Sequence, residues 1–512
     1  MDGTATTQHG KLAGLAQQGF TAFRGIPYAQ PPVEALRFRA PQKVSPWAGI
    51  RDATRYPPSS IQEVSPMNPM GQISEDCLYL NLWTPAVDKT ARPVMVWIHG
   101  GSFVSGSASM PQYDGSSLAK RGDVLVVGIN YRLGLLGFAH LKERFGSRVD
   151  SNIGLRDQIA ALEWIKENIA DFGGDPDNVT VFGESAGAIC IASLLSSPAA
   201  KGLFRSAIVQ SGSPDYFLKA EEAERLRSVY WEKLELTNDD AIFTLPANGL
   251  LKAQHFAMKQ GVQRGDYPSP MPLFGMPLVP VLGDDILPEV PLRYLAENAT
   301  GVNLLLGTMS QEWSYFLKVP MGPKGSVADK YFDLDLAGLQ KLMERALPGA
   351  GEQAMLAYYH SRGGFDESAA GFSAKLLDLY GDFESDKAFG VPSNRMAESQ
   401  SQHGAKVYNY LCSWDKGPFG AVHAADIPLV FGSVDSGLGK MFTGGGEGAQ
   451  KLSNTMQDAW IAFARTGDPS CAALGQWPCY EENSRFTMGL GEKYTLHKNV
   501  REIENNFWSG RI

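Results

Sequence analysis

Six short apolar runs, rich in β-branched residues, constrain the fold of this 512-residue chain more than any other feature of its sequence. Runs of this length and composition, closing in turn-forming residues, are typical of strands buried on both faces of a sheet. We therefore predict six buried strands whose carboxyl ends open into turns. The runs are VMVWIHG from Val94, VLVVGIN from Val124, VTVFGES from Val179, AIVQSG from Ala207, VNLLLGT from Val302 and AKVYNYL from Ala405.

A helical pattern separates the second run from the third. Apolar residues recur there at steps of three or four, at Leu155, Ile159, Leu162, Ile165 and Ile169, and a pair of glycines follows. This spacing predicts one amphipathic helix that ends at the glycines. A strand, a helix and a strand in this order imply a parallel crossover, so the sequence predicts an α/β fold with helices on both faces of a sheet.

No repeat, linker or low-complexity stretch divides the chain, and we expect residues 1–512 to form one catalytic domain. Two stretches, roughly 215–276 and 321–401, replace the strand pattern with charge and helix formers, and we predict that they are helical insertions over the sheet. The glycine-rich segment GGGEG at 444–448 predicts a surface loop, since a phosphate-binding loop would need a following Lys and Ser or Thr.

Charge and cysteine content argue against several functional classes. The formal net charge is −9 and there is no basic run, so we expect no nucleic acid or anionic membrane partner. We also expect no membrane span, because no apolar stretch approaches about 18 residues. The five cysteines are few for this length and odd in number, which favours a reducing, cytoplasmic setting. Secretion from a longer precursor and a local disulfide between Cys471 and Cys479 remain open alternatives. Nothing in the sequence indicates an oligomeric state.

The sequence Gly183-Glu184-Ser185-Ala186-Gly187 carries the strongest chemical signal. This G-x-S-x-G pattern directly follows a predicted strand and precedes the apolar segment AICIASLL, which is the strand, turn and helix context that a nucleophilic serine requires. The flanking glycines avoid collisions with neighbouring backbone, and the helix amino terminus favours a developing negative charge. The alternative is a turn whose serine merely caps a helix.

A glycine loop, His99-Gly100-Gly101-Ser102-Phe103, closes the first apolar run. Glycines let backbone N–H groups approach a reacting oxygen, and such a loop accompanies the serine elbow in related enzymes. We predict that Gly100, Gly101 and Ala186 donate to an oxyanion. The alternative is an ordinary turn at the end of a strand.

A general base and an orienting acid are sought among the loops at strand ends. His423 follows the last apolar run, at the sheet edge where ligands bind in open α/β sheets. Glu312 follows the fifth run, and it lies between the serine and the histidine in the chain, which is the order this architecture uses. A solvated loop histidine and an exposed loop carboxylate are the alternatives.

Motifs along nearly the whole chain resemble those of the type-B carboxylesterases, the α/β-hydrolase group that includes bacterial para-nitrobenzyl esterases and animal cholinesterases. They are FRGIPYAQPP from Phe23, LRFRAP from Leu36, SEDCLYLNLWTP from Ser74, HGGSF from His99, NYRLGLLGF from Asn130, NIGLRDQ from Asn152, FGGDPDNVTVFGESAG from Phe172 and AWIAFARTGDP from Ala459. The resemblance implies an α/β-hydrolase fold, a large, mostly parallel, twisted sheet flanked by helices, with helical insertions over the active site.

The resemblance also implies roles for single residues. Ser185, Glu312 and His423 match the nucleophile, acid and base positions, and Gly100, Gly101 and Ala186 match the oxyanion-hole positions. Ser211 resembles a serine that supports the base, and Arg37 and Glu75 resemble a structural ion pair.

Three positions depart from the family pattern. Trp313 stands where Gly usually follows the acid, so the Glu312 loop is expected to differ and the indole to narrow the site. Glu34 replaces a common Gly, which we expect to affect only a surface turn. Ser60 stands at the position of the cysteine that pairs with Cys77 in animal members, which leaves Cys77 free and fits a bacterial, intracellular protein.

These observations predict a serine carboxylesterase (EC 3.1.1.-) that hydrolyses small-molecule esters to acid and alcohol through an acyl-enzyme, without a metal or an organic cofactor. Hydrolysis of carbamates, amides or lipids by the same triad, and a non-catalytic binding or adhesion role, are the alternatives. Aromatic side chains near the motifs are candidates for the substrate pocket: Phe103, Phe274, Trp313 and Phe316.

Overall fold

The computed structural model describes residues 3–64, 71–264, 276–320, 326–331, 333–366 and 371–511. Within these ranges, no helix is both long enough and apolar enough to cross a membrane.

A central sheet of eleven strands organises the molecule. Its strands, in spatial order, are Thr495–His497, Thr487–Leu490, Val407–Cys412, Asn303–Met309, Ser206–Gln210, Gly174–Glu184, Arg92–Ile98, Leu125–Ile129, Tyr79–Thr84, Phe20–Pro27 and Leu15–Gln17. The second to eighth strands in this order run parallel, and antiparallel strands complete both edges. The six predicted strands are confirmed and lie side by side. A second, smaller sheet pairs Thr4–Thr7, Gly10–Ala13 and Ile50–Asp52.

Helices cover both faces of the central sheet. The α-helices are Ser116–Gly122, Gly134–Phe138, Lys142–Phe145, Ile153–Asn168, Ala186–Ser196, Ala220–Trp231, Ala247–Arg264, Pro291–Asn298, Ser314–Lys318, Leu336–Ala346, Gly351–Ser361, Phe372–Ser385, Val391–Ser401, Ile427–Phe431, Gly437–Thr443, Gly446–Thr466 and Glu502–Trp508. Short 3₁₀ turns are Glu34–Leu36, Pro111–Tyr113, Gly146–Arg148, Ile169–Phe172, Pro198–Ala200, Glu232–Leu234, Asp239–Phe243 and Ala328–Lys330, and Asp386–Gly390 is a π-helical turn.

The predicted crossover helix is confirmed as Ile153–Asn168, extended by the 3₁₀ turn Ile169–Phe172. Gly173 ends it in the left-handed region, with φ of 88°, which glycine adopts without the strain that a side chain imposes.

The sheet separates two apolar cores. Along the strand Arg92–Ile98, Val96 packs into one core and Trp97 into the other, because successive side chains point to opposite faces. A third core joins the helices of the second insertion to the carboxyl-terminal helix Glu502–Trp508 and includes Leu339, Tyr380 and Trp508. The continuous apolar runs therefore reflect strands buried on both sides.

The structure also bears on the predicted ion pair, the cysteines and the glycine-rich segment. Arg37 and Glu75 form the expected ion pair, with Nε of the arginine 2.8 Å from Oε2 of the glutamate. Cys77 is buried and unpaired, and Cys471 and Cys479 are not bridged. The loop prediction for GGGEG is wrong in part, since the helix Gly446–Thr466 begins within it. Neighbouring helical residues there outweigh the low propensity of glycine.

Candidate active site

Ser185 lies at a sharp turn between the strand Gly174–Glu184 and the helix Ala186–Ser196. Its φ and ψ of 54° and −126° are strained values for a residue with a side chain. The turn leaves no room at the flanking glycines: a Cβ on Gly183 would lie 2.6 Å from the carbonyl oxygen of Ile98, and a Cβ on Gly187 would lie 2.0 Å from the same atom. The backbone therefore holds the Ser185 side chain at the carboxyl edge of the sheet.

The glycine loop lies beside this turn. A Cβ on Gly100 would lie 3.2 Å from the Cβ of Ser185, and Gly101 has a φ of 115° with its Cβ position 2.1 Å from the carbonyl oxygen of Ser105. In the described loops and turns, no backbone hydrogen bond uses the N–H of Gly100, Gly101 or Ala186. The predicted oxyanion role requires that these three N–H groups have no such backbone acceptor.

His99 fixes the geometry of this loop. Its Nδ1 lies 2.8 Å from the carbonyl oxygen of Gly100, and its ring stacks on Tyr131 with centroids 4.5 Å apart. Burial lowers the pKa of His99 to about 4, so the ring is neutral and its Nδ1–H donates to that carbonyl. The sequence interpretation placed His99 in this loop, and the structure shows it there.

His423 and Glu312 form a buried pair. Nδ1 of His423 lies 2.6 Å from Oε2 of Glu312, whose other oxygen accepts hydrogen bonds from Ser211 Oγ at 2.5 Å and from the Met309 N–H at 2.7 Å. These bonds hold the carboxylate in place and orient the imidazole. The structure thus brings together the three residues that the sequence assigned to base, acid and support.

Glu184 is a site residue that the sequence interpretation missed. Its Oε1 lies 3.1 Å from Nε2 of His423, while no hydrogen bond joins that nitrogen to Ser185 in the described structure. Burial raises the pKa of Glu184 to about 8, with His423 opposing the rise. Burial lowers the pKa of His423, but the carboxylates of Glu184 and Glu312 outweigh it and raise that pKa to about 9. The only sequence signal for Glu184 is its place next to the nucleophile.

Asp426 is a second buried carboxyl group that was missed. It accepts hydrogen bonds from Gln210 Nε2 at 2.9 Å and from the Tyr410 hydroxyl at 2.8 Å, and burial raises its pKa. It lies three residues after His423, at the start of the helix Ile427–Phe431. Its hydrogen bonds anchor the loop that carries the base.

Ser185 and His423 line one cavity of about 190 Å³. Its other lining residues are Gly101, Ser102, Gln112, Tyr113, Glu184, Tyr315, Phe316, Ala424, Ile427, Pro428, Leu438, Gly439 and Phe442. The wall combines apolar side chains, such as Leu438 and Phe442, with the polar side chains of Gln112 and Glu184. A cavity of this size takes a small molecule.

The predicted pocket residues have different positions in the structure. Phe316 lines the cavity, with its ring centroid 5.5 Å from that of His423. Phe103 and Trp313 do not line it, because both are fully buried core residues: Phe103 packs against Phe138, and Trp313 lies in the core of the second insertion. The expectation that the indole narrows the site is therefore wrong. Phe274 lies outside the described residues.

The chain is similar in sequence to known carboxylesterases over nearly its whole length. Residues 2–508 match the model of the family described as "Carboxylesterase family". The chain is 39% identical to the para-nitrobenzyl esterase of Bacillus subtilis (strain 168), covering 96% of this chain and 95% of that protein. It is 32% identical to the phenmedipham hydrolase of Pseudarthrobacter oxydans, covering 96% of this chain and 95% of that protein.

Solved structures are similar over almost the full length. A structure of a PNB esterase has a TM-score of 0.83 and 36% identity, covering 99% of each chain. The Geobacillus stearothermophilus carboxylesterase determined at pH 6.2 has a TM-score of 0.85 and 34% identity, covering 99% of this chain and all of that one.

Proposed function

The chain belongs to the carboxylesterase family and is a carboxylic ester hydrolase of the α/β-hydrolase fold, and from this premise we propose that Ser185, His423 and Glu312 are its catalytic triad. The observation that carries the proposal is that Ser185, at its strained turn, and His423 line the same cavity, while the buried carboxylate of Glu312 bonds the far side of the His423 ring. The Glu312 carboxylate orients the imidazole and stabilises its cation as the proton arrives.

In the acylation step, neutral His423 accepts the Ser185 hydroxyl proton at Nε2 while Oγ attacks the ester carbonyl. The N–H groups of Gly100, Gly101 and Ala186 stabilise the oxygen that becomes negative. Collapse of the tetrahedral intermediate breaks the bond to the alkoxy group, which leaves as the alcohol with the proton from His423.

Water then replaces the alcohol and repeats the sequence on the acyl-enzyme. His423 removes a proton from the water, the hydroxide attacks the acyl carbonyl, and Ser185 leaves with the proton returned to it. In the structure His423 Nε2 contacts Glu184, and we expect the bond to Ser185 to form when substrate enters, since catalytic hydrogen bonds in ligand-free enzymes are often long.

The small cavity supports small-molecule esters as substrates. Five unpaired cysteines and the similarity to a bacterial para-nitrobenzyl esterase support a reducing bacterial cytoplasm as the setting. The match over residues 2–508 supports one catalytic domain.

The test is hydrolysis of p-nitrophenyl esters with acyl chains from short to long, compared among wild type, Ser185→Ala and Ser193→Ala. Ser193 lies on the same helix as Ala186 and is buried, and its hydroxyl donates to the carbonyl of Ile189, so its variant controls for loss of a buried hydroxyl. Wild type and Ser193→Ala should hydrolyse the short esters, whereas Ser185→Ala should lose several orders of magnitude in kcat and form no acyl-enzyme, keeping only the small rate enhancement that oxyanion donors and binding supply. A kcat of Ser185→Ala close to that of wild type would refute the triad.

A further inference from the structure

The loop that carries Glu312 is held from both sides by residues distant in sequence. The N–H of Trp313 donates to Ser385 Oγ at 2.9 Å, and the carbonyl oxygen of Ser310 accepts from Nη2 of Arg501 at 2.8 Å. Glu312 lies between these two attachment points. Its orientation therefore depends on the second insertion and on the carboxyl-terminal segment as well as on the loop itself.

A π-helical turn, Asp386–Gly390, connects these attachments to the base. It directly follows Ser385, and it places the ring of Phe389 against the imidazole of His423, with centroids 4.9 Å apart. Such turns add one residue to a helical turn and occur often at functional sites. Residues 385–389 therefore contact both the loop that carries Glu312, through Ser385, and the imidazole of His423, through Phe389.

Asp386, the first residue of this turn, anchors Arg501. It is buried, forms an ion pair with Nη1 of the arginine, and accepts a hydrogen bond from the Tyr358 hydroxyl at 2.7 Å. That hydroxyl in turn accepts from the indole N–H of Trp508 at 2.8 Å. Arg501 has a φ of 60°, a strained value that persists only when its surroundings fix it. The guanidinium is thus held rigidly where it reaches the carbonyl of Ser310.

We propose that Arg501 and Ser385 are positioning residues for catalysis, which hold the Glu312 loop so that its carboxylate stays aligned with His423. The proposal rests on the triad assigned above. It adds that the carboxyl-terminal segment and the second insertion control the efficiency of the base, although neither residue lines the cavity. A small displacement of Glu312 weakens its hydrogen bond to His423 and misaligns the imidazole.

The same segment provides a matched control. Arg362 donates to Glu504 at 2.6 Å and to Asp382 at 2.7 Å, and so attaches the helix Glu502–Trp508 to the second insertion without touching residues 310–313. Replacing Arg362 removes an arginine that attaches this helix to the second insertion. Replacing Arg501 removes such an attachment and also removes the hydrogen bond to the loop that carries Glu312.

The experiment compares full-length wild type, Ser385→Ala, Arg501→Met, Arg501→Lys and Arg362→Met. It measures kcat and KM for p-nitrophenyl acetate across pH, thermal unfolding, and the rate of covalent labelling by an organophosphate. The pH profile reports the proton affinity of His423, which faces Glu184, Glu312, Asp426 and the Tyr315 phenol. The titratable groups near Arg501 are Asp386, Asp382 and the phenol of Tyr358.

We expect Ser385→Ala and Arg501→Met to lower kcat by roughly tenfold to a hundredfold, with KM little changed. The acid limb of kcat/KM should move to lower pH, because a weaker bond to Glu312 stabilises the imidazolium less. Arg501→Lys should have a higher kcat than Arg501→Met, because lysine keeps the positive charge. Its kcat should stay below that of wild type, because lysine lacks the planar guanidinium that binds Asp386 and the Ser310 carbonyl at the same time. Arg362→Met should keep the wild-type kcat and pH profile.

Either of two results would overturn the proposal. One is a wild-type kcat and pH profile in Ser385→Ala, which remains informative even if the arginine variants fail to fold. The other is an equal loss in Arg501→Met and Arg362→Met, which indicates a structural role alone. Failure of the triad is distinct, since wild-type enzyme would then show no organophosphate adduct on Ser185.

Discussion

Above about pH 8, the value to which burial raises the pKa of Glu184, replacing Glu184 with glutamine removes a negative charge 3.1 Å from Nε2 of His423 while keeping the shape of the side chain. At this separation, two unit charges interact by about 5 kcal/mol with an effective dielectric constant of about 20. That value equals about 4 pKa units and is an upper limit, because neighbouring opposite charges usually shift a pKa by about 1–3 units. Both side chains are buried, so solvent screens the interaction little.

The sign of the effect follows from the base mechanism. The carboxylates around His423 raise its pKa to about 9 against the effect of burial, and the imidazolium cannot accept the serine proton. Activity therefore rises with pH as His423 loses its proton. Without the charge of Glu184 the imidazole is neutral at lower pH, and we expect the acid limb of kcat/KM to move down by about 1–3 pH units.

The assay measures initial rates of ester hydrolysis in a pH-stat, with Ser185→Ala as the blank for spontaneous hydrolysis. Glu447→Gln is the control, since Glu447 is an exposed carboxylate on the helix Gly446–Thr466. Its acid limb should coincide with that of wild type. An acid limb that stays in place in Glu184→Gln, or moves to higher pH, would refute the electrostatic reasoning.

Other predictions address the loop, a strained turn and the cavity wall. Gly101→Ala should lower kcat by roughly 10²–10³-fold in steady-state assays, because its Cβ would lie 2.1 Å from the carbonyl oxygen of Ser105 and displace an oxyanion donor; a wild-type kcat would contradict this. Glu34→Gly should raise the free energy of unfolding in urea by about 1 kcal/mol, since Glu34 has a φ of 52°; a lower value would show that the turn is unstrained. Phe442→Ala should raise kcat/KM for long acyl chains relative to short ones, because Phe442 lines the cavity and stacks on Tyr315; an unchanged ratio would place the acyl chain elsewhere.

The residues of the proposed triad could be identified from sequence because their positions follow strand ends. Ser185, Glu312 and His423 come after the strands ending at Glu184, Met309 and Cys412. In a parallel sheet these ends lie along one edge, so local patterns suffice to bring the three residues together.

The cavity wall could not be predicted in the same way. Phe103 and Trp313 adjoin predicted site residues, but backbone direction and packing turn them into the core: Phe103 has a φ of 63°, and helices of the second insertion surround Trp313. The wall instead includes Leu438 and Phe442, on a helix whose sequence carries no catalytic pattern. Its approach to Ser185 depends on tertiary packing.

The contact between Glu184 and His423 also could not be predicted from the sequence. The G-x-S-x-G pattern treats this position as variable, and its neighbours in sequence say nothing about a histidine more than two hundred residues away. The contact exists because the elbow and the His423 loop meet at the same sheet edge.

Covalent trapping shows directly whether Ser185 is the nucleophile. Wild-type enzyme is treated with diisopropyl fluorophosphate, digested, and examined by mass spectrometry alongside Ser185→Ala. We expect one phosphoryl adduct, located on Ser185 and formed in proportion to the loss of activity, with no adduct at that position and at most trace activity in the variant. Complete inhibition with the adduct on another residue, or an active and labelled Ser185→Ala enzyme, would contradict this assignment.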